Sequence, residues 1–192
     1  MHTGADSVSV VAHPLLQGGG GGSIPTSALQ LHLYEMDMRE AAALNRRWHS
    51  MLPRTDLGNL LCGNTSVAYG AMFNGRWFAV AIWSQPIIRA MAKDGKTIEL
   101  RRLAIVDNAP KNTASRMLAV MCRLVKKKYP QMERAISYQA VEVHEGTIYR
   151  AAGWTPNEGT SAARPQRLTG EHGRATGPLQ TYSPKRRWEK RL

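Results

Sequence analysis

The chain has 192 residues, 43% of them hydrophobic, and a formal net charge of +12 at neutral pH. Such a length suits one domain with extensions, and the apolar fraction supports a packed core, which excludes wholesale disorder. No apolar run reaches the ~18 residues of a membrane span and no charged-then-apolar leader opens the chain, so neither a membrane partner nor secretion is expected.

Residues 1–27 read as a flexible segment, because the run QGGGGGS from Gln17 to Ser23 costs too much entropy to order. Leu29–Tyr34 alternates as a strand. Asp37, with Glu40 at capping-box spacing, opens a helix over DMREAAALNRRWH that ends at His49. SVAYGAMF and WFAVAIWSQ flank Asn74-Gly75-Arg76, a hairpin signal. Thr97–Ile105 forms the next strand, with Ile98, Leu100 and Arg102 on one side and Glu99, Arg101 and Leu103 on the other.

A polar loop then leads into a long helix, NTASRMLAVMCRLVKKKY, which gathers Met117, Leu118, Met121, Leu124 and Val125 on one face. Pro130 ends it, and Lys126, Lys127 and Lys128 suit the negative end of its dipole. Arg134–Gln139 is a further strand, and HEGTIYRAAGW, His144–Trp154, is a short helix stopped by Gly153. From Gly159 to Leu192 the chain carries eight Lys/Arg against two Glu. This basic segment is either a solvated tail or a phosphate-tracking arm, with Trp188 among Lys185, Arg186 and Arg187 as its stacking aromatic. The order of elements predicts an α/β fold with a mixed sheet and helices on both faces. The domain spans 28–158, followed by a basic C-terminal tail at 159–192.

The charge excess favours polyanions, either nucleic acid or an anionic cofactor, and solubility is the plainer alternative. Cys62 and Cys122 lack metal-type spacing and read as free thiols of a reducing cytosol, so a cytoplasmic location is expected. The loop before the long helix ends in Lys111, Asn112, Thr113, Ala114, Ser115 and Arg116. Free amides at that helix start suit an anion, while simple capping by Asn112 needs no ligand. Trp48 and His49 offer a stacking ring beside a titratable imidazole, or else a packed Trp and a solvated His. Glu99 in an apolar strand is costly unless paired or functional. It either pairs with Arg101 or serves as a base or metal ligand. His144 is a cap, a solvated side chain, or a member of a mixed nitrogen and oxygen site with His49, Glu99 or Tyr149 of the kind that suits iron.

Ile148, Tyr149, Gly153 and Trp154 match, position by position, the C-terminal motif of the GNAT acetyltransferase superfamily, which this chain resembles over about residues 29–156. The resemblance implies a splayed central sheet in which the strands at Thr97–Ile105 and Arg134–Gln139 separate. An acyl-coenzyme A enters that gap with its pyrophosphate on the Lys111–Arg116 loop amides. It also implies that Tyr149 protonates the leaving thiolate, a role a phenol can fill; the plainer role is a core aromatic with a satisfied hydroxyl. Ser137 finishes a strand lining the donor gap. The loop departs from the usual pattern, with Ala114 at the first glycine position and the bulky Arg116 at the second. Either the anion is held differently or the coenzyme has been given up.

The string IELRRLAI, PKNTASRML, ISYQ and VHEGTIYRAAGW, with WHSMLP upstream, is similar to phage proteins of the Mom type, a divergent GNAT branch. That resemblance implies a phage enzyme that modifies adenine N6 in DNA and shields it from restriction. It further implies an acyl-type donor, an iron requirement in the family, and work in the host cytoplasm. The target base must leave the duplex. Tyr149, His49 and Glu99 are then the catalytic candidates. Arg47, Trp48, Lys185, Arg186, Arg187 and Trp188 are the candidate DNA contacts, and a homodimer is compatible with this reading. A coenzyme A-dependent N-acetyltransferase for a protein or small-molecule amine is the second reading. A DNA-binding protein without chemistry is the third.

Overall fold

The computed structural model describes residues 24–49, 65–161, 164–167, 179–182 and 184–192. The glycine run at 17–23, residues 50–53 of the WHSMLP string, Cys62 and tail residues 168–178 lie outside the described residues.

Local chemistry places the first elements. Ser27 accepts the Leu29 N–H and Gln30 reaches back to the Ser27 N–H, winding Ala28–Gln30 into a 3-10 turn. That turn delays strand β1 to His32–Met36, later than the alternation suggested. Asp37 accepts the N–H groups of Arg39 and Glu40 and starts helix α1, Met38–Trp48, as expected. Glu40 does not close the capping box; its carboxylate accepts from Trp77 Nε1 at 2.8 Å. Strands β2, Ser66–Phe73, and β3, Arg76–Ser84, turn on Asn74 and Gly75, both at positive φ.

A short helix α2, Arg89–Ala92, precedes β4, Thr97–Ile105. Helix α3, Thr113–Lys128, leads to β5, Arg134–Ala140, and then to α4, Thr147–Ala151. The chain closes with β6, Thr155–Ser161, a small pair β7, Arg164–Arg167, and β8, Leu179–Tyr182, and finally β9, Lys185–Arg191.

The main sheet runs β1-β2-β3-β4-β5-β9-β6. Its pairs are antiparallel except β4 with β5. Both faces are covered, as expected. Helix α1 packs Ala41 on Ala68, Val80, Ile82 and Ala104. The other face carries the larger core, where Met117, Leu118, Met121 and Val125 of α3 meet Trp83, Ile98 and Leu100.

β4 corrects the face assignment made from alternation. Ile98 and Leu100 lie in the α3-side core, and so do Leu103 and Ile105, although the parity has changed between them. The register against β3 shifts between Ile82 and Trp83, so Arg101 is the extra residue of a bulge. Beyond it, Arg102 and Ala104 face α1.

The C-terminus is a second correction. Lys185–Arg191 is an inner strand, hydrogen-bonded to β5 on one side and β6 on the other. Its long cationic side chains serve this position well, because their stems cover apolar surface while their heads reach polar partners. Lys190 Nζ donates to the carbonyl of Gly153 at 2.8 Å, and Arg187 pairs with Glu189 at 2.7 Å. Trp188, fully buried, enters the core. Replacing Trp188 with Ala is therefore expected to cost about 3–5 kcal/mol of stability in urea unfolding; a variant as stable as the parent would return this segment to a solvated tail.

Candidate active site

β4 and β5 pair over only four positions, from Thr97 with Arg134 to Leu100 with Ser137, and then part. Four groups meet at the fork. Ser137 Oγ donates to the Leu100 carbonyl at 3.3 Å and lies 2.9 Å from Tyr149 Oη. Either hydroxyl can be the donor of that pair. The Tyr149 ring stacks on Trp188 with centroids 5.1 Å apart and planes 11° apart, and meets Trp154 edge-on at 5.7 Å.

Trp188 is itself fixed. Its Nε1 donates to Gln139 Oε1 at 2.6 Å, and the Gln139 amide donates to the His144 carbonyl. Gly146 opens α4 at φ 76°, and any side chain there would collide with the Trp188 ring. Burial raises the Tyr149 pKa, with the Ser137 hydrogen bond opposing. The group therefore stays a phenol with a proton to give.

On the far side of the fork, between the β4–α3 loop and α4, lies a pocket of about 210 Å³. Ile105, Asn112–Ser115, Thr147 and Ile148 line it. Asn112 sits at φ 66° and its side chain makes no capping bond, which sets the simple capping account aside. Thr113 and Ser115 turn their hydroxyls to the carbonyls of Pro110 and Asn112. The first helical bond is that of the Arg116 N–H to the Asn112 carbonyl, leaving the Ala114 and Ser115 N–H groups without an acceptor among the described residues. Two amides at the start of a sixteen-residue helix thus stand at an apolar-walled pocket, a suitable arrangement for a phosphate group. Arg116 does not obstruct it: the guanidinium turns back to the Leu31 carbonyl at 3.4 Å. Lys111 is exposed beside the loop.

The α1 face of the fork is cationic. His49 caps the C-terminus of α1, half-buried, within electrostatic reach of Arg102, His144 and Lys185. Its pKa is lowered, first by burial and then by those three neighbours, which keeps the imidazole neutral and able to accept a proton. Lys185 is shifted down as well, by burial and by Arg102.

Glu99 takes the plainer of its two roles. Its Oε1 lies 3.4 Å from Arg101 Nε and its Oε2 accepts the Ile87 N–H at 3.2 Å, while Arg101 also donates to Ser84 Oγ. Burial raises its pKa despite the opposing Arg101 charge. Both oxygens are thus engaged, which ties the Glu99 carboxylate to Arg101 and to the backbone of Ile87. The trio of His49, Glu99 and His144 does not form a metal site, and among the described residues no three His, Cys, Asp or Glu side chains group to hold an ion.

The candidate DNA contacts divide. Arg47 is exposed on α1, but Trp48 packs on the Ala41–Ala104 cluster. Lys185, Arg186 and Arg187 are half-buried on β9, and Trp188 is enclosed by the core and cannot stack on a base. Sequence reasoning missed Trp188 as the support of Tyr149 and Arg102 as a member of the cationic face. An unbroken run free of Gly and Pro, with one aromatic inside it, was the available signal for a strand at 185–191.

The profile described as the Mom protein family matches residues 30–189. The chain belongs to the Mom protein family. A search of curated proteins finds no match. Among solved structures, an acetyltransferase of Bacillus subtilis in complex with CoA superposes with a TM-score of 0.59 at 12% identity, over 84% of this chain and 99% of that one. The ribosomal-protein-S18-alanine N-acetyltransferase of Escherichia coli gives 0.56 at 12% identity, over 84% and 94%. The spermidine N-acetyltransferase of Vibrio cholerae, in complex with CoA and spermine, gives 0.53 at 12% identity, over 85% and 96%. At such identities the likeness defines the fold, so this Mom-family chain has a GNAT-like architecture.

The state of His49 is testable through pH. A histidine whose pKa is lowered by folding binds its proton less readily than in the unfolded chain. Its contribution to stability is complete above the ordinary value of 6.5 and is lost as pH falls below it. Denaturant unfolding between pH 7.5 and 5 should show the parent losing more stability than His49→Gln. Equal losses would contradict a desolvated imidazole at this position.

Proposed function

We propose that this protein transfers an acyl-derived group to the N6 amine of adenine in DNA, using a coenzyme A thioester or a related donor. The observation that carries the reading is the fork itself: a buried phenol held at its apex, with open helix amides on one side and a neutral histidine among cations on the other. Membership of the Mom protein family and the net charge of +12 support DNA as the acceptor.

The residues present fit such a donor. The Ala114 and Ser115 amides suit its phosphates, and the pocket wall of Ile105 and Ile148 suits an apolar arm. A thioester donor supplies an activated acyl carbon and a sulfur leaving group. The chain supplies the rest. Ser137 and Trp188 hold the Tyr149 hydroxyl at the fork, where its proton serves a departing sulfur. His49, kept neutral, takes the proton that the exocyclic amine loses as its bond to carbon forms. Arg102 and Lys185 give the entrance a positive potential that attracts phosphodiesters.

An N-acetyltransferase of small amines is the alternative that the fold neighbours favour. The cations around His49 argue against a polyamine acceptor, since like charges at the entrance repel it. Expression in bacteria, followed by digestion of DNA to nucleosides and mass spectrometry, decides the matter. A modified deoxyadenosine is expected, falling roughly 100-fold or more in Tyr149→Phe while DNA affinity is unchanged. Unaltered nucleosides from cells rich in soluble protein would contradict the proposal. Salt-steep DNA binding in that case would point to a binding protein without chemistry.

A further inference from the structure

Ile87 and Ile88 are 62% and 48% exposed, adjacent, and both β-branched. Single exposed aliphatics are ordinary, but this pair is held firmly by polar bonds from below. Pro86 before it is buried. The Ile87 N–H is bound by Glu99 Oε2, itself paired with Arg101 inside the sheet. The Ile88 carbonyl accepts the N–H groups of Met91 and Ala92, closing α2. Met91 Sδ in turn meets Tyr138 Oη at 3.6 Å and Arg187 Nη1 at 3.8 Å. The tip is thus fastened to β4, β5 and β9, the strands at and beside the fork.

Its position is equally particular. Glu99 lies one residue before the last paired position of β4 and β5, so the tip stands next to the fork. The exposed Arg89 follows Ile88 directly, and Arg102 and Lys185 lie on the same α1 face of the sheet. Two stiff aliphatic side chains with Arg89 beside them, on a sheet whose next strands carry Arg102 and Lys185, match a polyanion with an apolar interior, which describes stacked bases between phosphate strands. A lipid or protein partner would meet the same apolar tip but needs no fork beside it.

Resting on the DNA reading above, we propose that Ile87 and Ile88 form a wedge that enters the duplex and fills the stack vacated by the base drawn into the fork. Proteins that open DNA commonly insert such aliphatic side chains, offsetting the lost stacking. The buried Glu99–Arg101 pair thereby gains a purpose: it braces the wedge.

The test uses the full chain and duplexes carrying 2-aminopurine, an adenine analogue whose fluorescence rises on leaving the stack. The parent protein should raise the signal. The double variant Ile87→Ala, Ile88→Ala should lower that rise about tenfold on fully paired duplexes. It should recover most of it when 2-aminopurine faces an abasic site, where the base is already loose. The conservative double variant Ile87→Leu, Ile88→Leu should retain the rise on both, which separates a wedge from a folding defect. An alanine variant that raises the signal as the parent does on paired duplexes would overturn the wedge and leave the DNA reading standing. A loss on both duplexes by a folded alanine variant would also overturn it, marking a general binding contact. No rise with the parent on any DNA, or saturable binding to lipid vesicles instead, would sink the DNA reading and the wedge together.

Discussion

The structure depends on one contact, the stacking of Tyr149 on Trp188 beneath the point where β4 and β5 separate. A parallel strand pair that parts after four positions leaves backbone groups and apolar surface exposed along the gap unless something fills its base. The two rings fill it, with Trp154 and Trp83 continuing the aromatic layer below. Ser137 ties the Tyr149 hydroxyl to the strand edge, and Gln139 ties Trp188 to the loop that opens α4. The strand that supplies Trp188 is the last in chain order, though an inner one in the sheet. The packing of the core and the placement of the phenol are therefore inseparable here, because the residues that close the core also hold the Tyr149 hydroxyl.

From that contact the molecule divides into two chemical halves. Toward α3 and α4 lie the amides of Ala114 and Ser115 and an apolar pocket. Toward α1 lie His49, Arg102 and Lys185. The bulge at Arg101 makes the division possible. Without the extra residue Arg102 would point into the α3-side core, where an unpaired guanidinium is expensive. With it, Leu103 and Ile105 return to the core and Arg102 joins the cationic face.

How much of this was legible in the sequence follows the range of the interactions. Asp37, Asn74-Gly75 and Pro130 act within a few residues, and the elements they bound lie where the sequence puts them, apart from the short delay before β1. Tyr149 was legible because its spacing to Gly153 and Trp154 is itself local. The bulge was not, since it arises from the pairing of β4 with β3 across the sheet. The last strand was hidden for a related reason. A run such as KRRWEKR reads as solvated until β5 and β6 offer it backbone partners, and Arg and Lys disguise alternation by snorkelling. The sequence accordingly points Trp188 toward DNA, whereas the strand pairing buries it in the core. The alternative of a metal group at His49, Glu99 and His144 finds no such cluster among the described residues, where Glu99 has Arg101 and Ile87 as partners.

The central claim is that the gap between β4 and β5 takes a donor whose phosphates rest on the loop amides. Backbone amide NMR of the isotope-labelled protein, titrated with coenzyme A, tests it most directly. The account predicts saturable shifts that are largest at Ala114 and Ser115, and that persist in Arg116→Ala because that side chain faces Leu31. Coenzyme A that leaves those two amides unmoved, while the protein remains folded, would contradict it.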